Sequence, residues 1–114
     1  MTFEDLKLHK SLQKAVKDQN YETPTSIQAK AIPLLLDKND VLGTAQTGTG
    51  KTAAFSLPIL HHLENESQNQ GRRKVKALIV TPTRELAIQI AENFTDYSKY
   101  NSIKNTVIYG GVKQ

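Results

Sequence analysis

Apolar residues recur along this chain in two rhythms, one suited to helices and one to buried strands. From Leu8 to Gln19 the apolar positions Leu8, Leu12, Ala15 and Val16 fall at helical spacing among lysines, which predicts an amphipathic surface helix. Phe3 and Leu6 stand ahead of it. Asn20-Tyr21-Glu22-Thr23-Pro24 breaks the pattern, because Pro24 forces Thr23 out of the α region. Thr25-Ser26-Ile27-Gln28 opens the next helix, which runs through Ile27, Ala31, Leu34 and Leu35. Thr25 and Gln28 have the spacing of a capping box, in which each side chain reaches the other's backbone amide. Pro33 removes a backbone donor inside this helix and predicts a bend.

After the turn Lys38-Asn39-Asp40, Val41-Leu42 reads as the core of a first strand. Ala53, Ala54, Phe55, Leu57, Ile59, Leu60 and Leu63 leave little polar face, so the helix that holds them should be largely buried, with a kink or tight last segment at Pro58. Glu64 to Lys74 contains no apolar side chain and predicts a solvated, mobile loop. Val75 to Val80 reads as a second strand, its apolar end nearly continuous as in a parallel sheet covered by helices on both faces. Thr81-Pro82 predicts an N-cap followed by proline at the first helical position. Leu86, Ile90, Phe94 and Tyr97 then form a helical stripe, and Thr106 to Tyr109 reads as a third strand ending at Gly110-Gly111. This alternation predicts an α/β fold, a parallel sheet with flanking helices.

Composition narrows the picture modestly. The 114 residues suffice for one domain at most, or part of one, and 38% hydrophobic with 23% charged residues is a globular balance. The absence of cysteine excludes a disulfide framework and a thiolate metal site. No apolar run approaches a membrane span and the N-terminus lacks the pattern of a signal peptide, so the expected location is cytoplasmic. A net charge of +4 suits a polyanionic partner, but the charges are scattered and single out none. His9, His61 and His62 lack ligand spacing and fall on helices, so they read as structural or exposed.

The chemistry lies in Ala45-Gln46-Thr47-Gly48-Thr49-Gly50-Lys51-Thr52, where a strand would turn into a helix. Gly48 and Gly50 allow positive φ and a close approach to an anion. Loop amides and the free N–H groups of the first helical turn can face phosphate oxygens. Lys51 would serve the β and γ phosphates and Thr52 a magnesium ion. Ala45 occupies the position where the general phosphate-loop pattern has glycine, so an ordinary strand-to-helix loop with an exposed lysine stands as the competing reading.

Together the segments resemble the DEAD-box RNA helicases. Phe3 with Asn20-Tyr21-Glu22-Thr23-Pro24-Thr25-Ser26-Ile27-Gln28 is similar to that family's adenine-reading Q motif, and Ala45 to Thr52 to its phosphate loop, where alanine in first place is normal. Pro82-Thr83-Arg84-Glu85-Leu86-Ala87 is similar to its first RNA-contacting motif, and Gly110-Gly111 to the double glycine that follows. Asn20 stands where glycine is usual and Ser26 where proline is common. The resemblance implies a Q-motif helical region over residues 1–36 and the first part of a RecA-like ATP-binding domain over residues 37–114. It implies ATP and magnesium as cofactors, with Gln28 reading the adenine edge, Tyr21 packing on the base and Phe3 supporting the pocket. The phosphates would be held by Ala45 to Thr52, with Lys51 and Thr52 the catalytic residues in this stretch. Pro82, Thr83, Arg84, Gly110 and Gly111 would face the RNA backbone without reading sequence, and RNA-processing or RNA-decay proteins are conceivable further partners. By spacing alone, Gln28 reads first as a helix cap and Arg84 first as a solvated helix-start arginine.

The family's Asp-Glu-Ala-Asp and Ser-Ala-Thr motifs and its second RecA-like domain do not occur in these 114 residues. Glu85 belongs to the RNA-contacting motif and is not assigned as a base. The leading expectation is the N-terminal part of an ATP-dependent RNA helicase that separates short duplexes or remodels RNA-protein complexes. The rivals are an unrelated P-loop NTPase and a stand-alone nucleotide-binding module. In the family's sheet, strands absent from this sequence lie between the strand before the phosphate loop and the strand before Pro82. Val41-Leu42 and Ala77 to Val80 are therefore expected to lack pairing partners, and the isolated stretch to be marginally stable and inactive.

Overall fold

The computed structural model describes residues 1–46, 48, 50–66 and 74–109. Among the described residues a 3-10 turn, Phe3–Leu6, leads into four helices: α1 (Lys10–Asp18), α2 (Ser26–Leu36), α3 (Lys51–Asn65) and α4 (Arg84–Tyr97). The first helix begins later than Leu8. His9 caps it, its ring nitrogen accepting from the Ser11 N–H at 3.2 Å, which leaves Leu8 to pack in the core. The His9 N–H donates in turn to Nδ1 of His61 on α3 at 2.9 Å. Burial holds the His61 imidazole below its ordinary pKa, which favours the neutral ring that this acceptor role requires. His62 contacts the Leu35 carbonyl at 2.9 Å. All three histidines therefore join elements to one another, as expected.

The capping box of α2 is formed. The Thr25 N–H donates to Gln28 Oε1 at 2.9 Å, and the Gln28 N–H faces Thr25 Oγ1 at 3.5 Å. Asn20 adopts φ 63°, the left-handed conformation in which asparagine is the usual substitute for glycine. Its departure from the family pattern is thereby accommodated. The fourth helix starts two residues later than Thr81-Pro82 predicts. Thr83 is the cap, its Oγ1 accepting from the Leu86 N–H at 3.2 Å, while the Thr81 hydroxyl donates to the Thr83 carbonyl at 2.9 Å. Pro82 lies before the cap instead of inside the helix.

The helices share one core. Phe3, Leu6, Leu8, Leu12, Val16 and Ile32 from the N-terminal third meet Ala53, Leu57 and Leu60 of α3 and Ile90, Phe94 and Tyr97 of α4. As expected, α3 is the most enclosed, with Pro58 inside it and Leu57 and Leu60 fully buried. Leu86, at the start of the α4 stripe, is exposed. Much of the predicted loop from Glu64 to Lys74 falls outside the described residues; Glu64 and Asn65 belong to α3.

The expected parallel sheet is not present among the described residues, in which no strand is assigned. Val41-Leu42, Val75 to Val80 and Thr106 to Tyr109 carry strand-like composition but no ladder. A strand exists only through the neighbour that pairs its N–H and C=O groups. Leu42 is 98% exposed and Val80 82%, so these apolar side chains have no covering layer.

Candidate functional site

The candidate phosphate-loop segment leads directly into α3. Gly48 and Gly50 take φ of 87° and 82°, as their place in the loop predicts; Thr47 and Thr49 lie outside the described residues. Around Gly48 the space for a side chain is open, so the positive φ alone requires glycine there. Gly50 is doubly constrained, because a Cβ would collide with the Gln28 amide nitrogen. Its carbonyl accepts from Gln28 Nε2 at 3.1 Å and from the Ala54 N–H at 3.2 Å.

Gln28 is 4% exposed and uses both ends of its amide, Oε1 on the α2 cap and Nε2 on the Gly50 carbonyl. The capping role is thus observed, and the contact to Gly50 goes beyond what spacing could reveal. One lone pair on Oε1 and one hydrogen on Nε2 remain for a further partner. Lys51, exposed, is the first residue of α3, followed by partly buried Thr52. No side chain caps this helix among the described residues, so its first-turn N–H groups face the loop side with their partial positive charge. Ala45 is partly buried and Gln46 exposed beside them.

Phe3 and Tyr21 come together although 18 positions separate them. Their rings stack at 5.9 Å, and the Phe3 N–H donates to the Glu22 carbonyl at 3.1 Å. Tyr21 also meets Tyr97 edge to face at 6.3 Å, with the two hydroxyls 3.3 Å apart. Burial pushes the Tyr97 phenol well above its ordinary pKa.

The second cluster is at the start of α4. Thr81, Pro82, Thr83 and Arg84 line an open groove of about 430 Å³ together with Ile108 and Tyr109. The Arg84 guanidinium lies 4.9 Å from the Tyr109 ring centroid, a cation–π contact. Thr83 spends its acceptor on the helix cap, but its hydroxyl hydrogen can still donate. Gly110 and Gly111 lie outside the described residues. In the sequence Tyr109 stands out only as a strand residue, and its place immediately before the double glycine is the one signal of a further role. Among the described residues no group of three His, Cys, Asp or Glu could hold a metal ion.

A family model described as DEAD/DEAH box helicase matches residues 25–114, most of the chain. The chain belongs to the DEAD/DEAH box helicase family. It is 50% identical over 111 residues to the ATP-dependent RNA helicase DeaD of Klebsiella pneumoniae, covering 96% of this chain and 16% of that protein. To the ATP-dependent RNA helicase CshA of Limosilactobacillus reuteri it is 47% identical, covering 97% of this chain and 21% of that one. Among solved structures, the RNA helicase Prp28 of Chaetomium thermophilum bound to ADP aligns with a TM-score of 0.86 at 36% identity, over 98% of this chain and 27% of that chain. A hypothetical ATP-dependent RNA helicase from Sulfolobus tokodaii aligns at 0.68 and 36% identity, over 82% of this chain and 25% of that one. The chain therefore spans a minor part of these relatives, and its helices are arranged as in RecA-like helicase domains. An unrelated P-loop NTPase is not favoured by these matches. No helix among the described residues is long and apolar enough to cross a membrane.

Proposed function

We propose that this chain is the ATP-binding and RNA-contacting beginning of an ATP-dependent RNA helicase, which separates short RNA duplexes or remodels RNA-protein complexes. The observation that carries this reading is the junction of Gln28 with Gly50, which joins a candidate base reader to a candidate phosphate loop. Residues 1–36 would supply base recognition, and residues 37–114 the phosphate and RNA contacts. In the complete domain the extended segments would enter a parallel sheet. The protein would act in the cytoplasm, alongside proteins of RNA processing or decay.

Tyr21 would present its exposed surface to the adenine ring, with Phe3 behind it. Gln28 would use its remaining donor and acceptor on the adenine edge. Ala45 to Thr52 would cradle the phosphates through loop and first-turn N–H groups, and Lys51 would bring its ammonium to the outer phosphates. The Thr52 hydroxyl is a hard oxygen donor of the kind magnesium takes, and the nucleotide phosphates would be its co-ligands. Magnesium, when bound, would neutralise charge on the phosphates. A carboxylate to position the attacking water and arginines for the developing charge belong to other parts of the family's machinery.

Discrimination between bases tests this reading. Gln28→Ala should weaken ATP binding by roughly 1–3 kcal/mol and erode the preference for ATP over GTP. Gln28→Glu is the sharper variant, since its carboxylate can still accept from the Thr25 N–H while the donor to Gly50 and adenine is lost. Competition of ATP against GTP for the full-length protein is the measurement. Unchanged discrimination in both variants would remove the adenine assignment and leave only the cap.

Pro82, Thr83, Arg84, Gly110 and Gly111 would contact the RNA sugar-phosphate backbone, the groove that Thr81 to Arg84 line with Ile108 and Tyr109 giving the strand a path. Arg84→Ala should weaken binding about equally for all RNA sequences and reduce the salt slope of log K by roughly 1. Titration of several oligoribonucleotides across salt concentrations checks this. A changed sequence preference would contradict a backbone role.

A further inference from the structure

Tyr97 is the last residue of α4 and is 2% exposed. Phenylalanine would fill that space equally well, yet the Tyr97 hydroxyl reaches the hydroxyl of Tyr21, 76 positions earlier in the chain. Tyr21 is thus held from two directions, by the stacked ring of Phe3 and by the edge and hydroxyl of Tyr97. About a third of its surface, 36%, remains exposed.

The anchor does not depend on Tyr21. Tyr97 lies in the same core as Phe94 and Ile90, and the turn after it is tied to α1. There the Asp18 carboxylate accepts from Lys99 Nζ at 3.3 Å and from the Tyr100 hydroxyl, while Lys14 lies 4.4 Å over the Tyr100 ring. Tyr21 follows the left-handed turn at Asn20, outside any helix, where a side chain held by nothing would sample several rotamers. A stacking platform that must be ordered on binding loses affinity to that ordering, and one already fixed does not.

We infer that Tyr97 is a positioning residue for base recognition, holding the Tyr21 ring in the orientation in which its exposed surface receives a purine. The inference rests on the proposed role of Tyr21 as the base platform. It extends nucleotide recognition to the end of α4, whose first turn carries Arg84 at the other candidate site. Burial raises the Tyr97 phenol above its ordinary pKa, which favours the neutral hydroxyl this contact uses.

The test uses the full-length protein, with KM and kcat for ATP measured at saturating RNA. Tyr97→Phe retains the core ring and removes the hydroxyl; it should raise KM by about threefold to tenfold with kcat unchanged, the span of one net hydrogen bond. Tyr21→Phe, which deletes the other hydroxyl, should raise KM by a similar factor. The double variant should be no worse than either single one. In a Tyr21→Ala background, Tyr97→Phe should have no further effect on KM. Additive losses, or a lowered thermal midpoint with KM unchanged, would reduce Tyr97 to a packing residue and overturn the inference. If Tyr21→Ala raises KM while Tyr97→Phe does not, the platform stands and the positioning role falls. If Tyr21→Ala leaves KM unchanged, the platform reading fails first and the inference falls with it.

Discussion

Lys51→Ala is expected to abolish ATP turnover in the full-length helicase while leaving its fold intact. The side chain is exposed at the first position of α3, beyond two left-handed glycines and beside a helix start that no described side chain caps. Its ammonium is the one mobile cation the loop itself offers to the outer phosphates, where charge builds up as the γ phosphoryl leaves. Losing a preorganised donor at such a point costs about 100-fold to 1000-fold in rate, which is near the floor of an ordinary ATPase assay. Stability should hardly change, because an exposed lysine contributes little and alanine is the better helix former. Phosphate release at saturating RNA, with circular dichroism as the control for folding, decides the matter. Turnover near the parental rate with a normal spectrum would mean that this loop is not the catalytic phosphate site.

The second large effect concerns residues 1–114 purified alone. Leu42, Val75, Leu78, Val80 and Ile108 are exposed on segments that pair with nothing as strands among the described residues, and open apolar edges of this kind favour association between copies. The preparation should be marginally stable, prone to aggregation or domain swapping, and inactive toward ATP. Thermal unfolding, size-exclusion elution and RNA-stimulated ATP hydrolysis are the measurements. A monomer with a cooperative transition above about 45 °C, the lower end for ordinary mesophilic domains, would overturn the stability expectation. RNA-stimulated turnover that vanishes in Lys51→Ala would overturn the inactivity, and Glu85 would become the first carboxylate to test.

The helices were legible in the sequence because their determinants are local. Thr25 and Gln28 cap α2 from three residues apart, and the apolar run from Ala53 to Leu63 identifies α3 as the central element. The start of α4 was misplaced by two residues for an equally local reason: Thr81, Pro82 and Thr83 offer two candidate caps, and only the backbone geometry selects Thr83. The sheet was not legible in the same sense. The apolar runs at Val41-Leu42 and Val75 to Val80 record a need for burial, but a strand's partner is encoded elsewhere in the chain and not in the strand itself. The site was legible as motifs and hidden as contacts. Gln28 was read as a cap and as a base reader, while its bond to the Gly50 carbonyl spans 22 positions and leaves no mark on spacing. Tyr97 appeared only as the end of an apolar stripe, because a ring that fills a core and a hydroxyl that holds a distant tyrosine are the same letter.

The single core formed by Phe3 through Tyr97 also sets an order of events during synthesis. Its four helices bury one another, with Ile79 and Ile103 of the non-helical segments packed against them, so the helical core can begin to condense once α4 has cleared the ribosome. In a longer parent protein the extended segments would then wait, Leu42, Val75, Leu78, Val80 and Ile108 exposed to water, for partners encoded further along the message. At roughly 5–20 residues per second, each additional hundred residues prolongs that wait by about 5–20 s. Hydrophobic collapse in the microsecond range is far faster. A nascent chain of a longer parent protein would thus spend seconds with its helices gathered and these segments uncovered, an interval that suits capture by a chaperone.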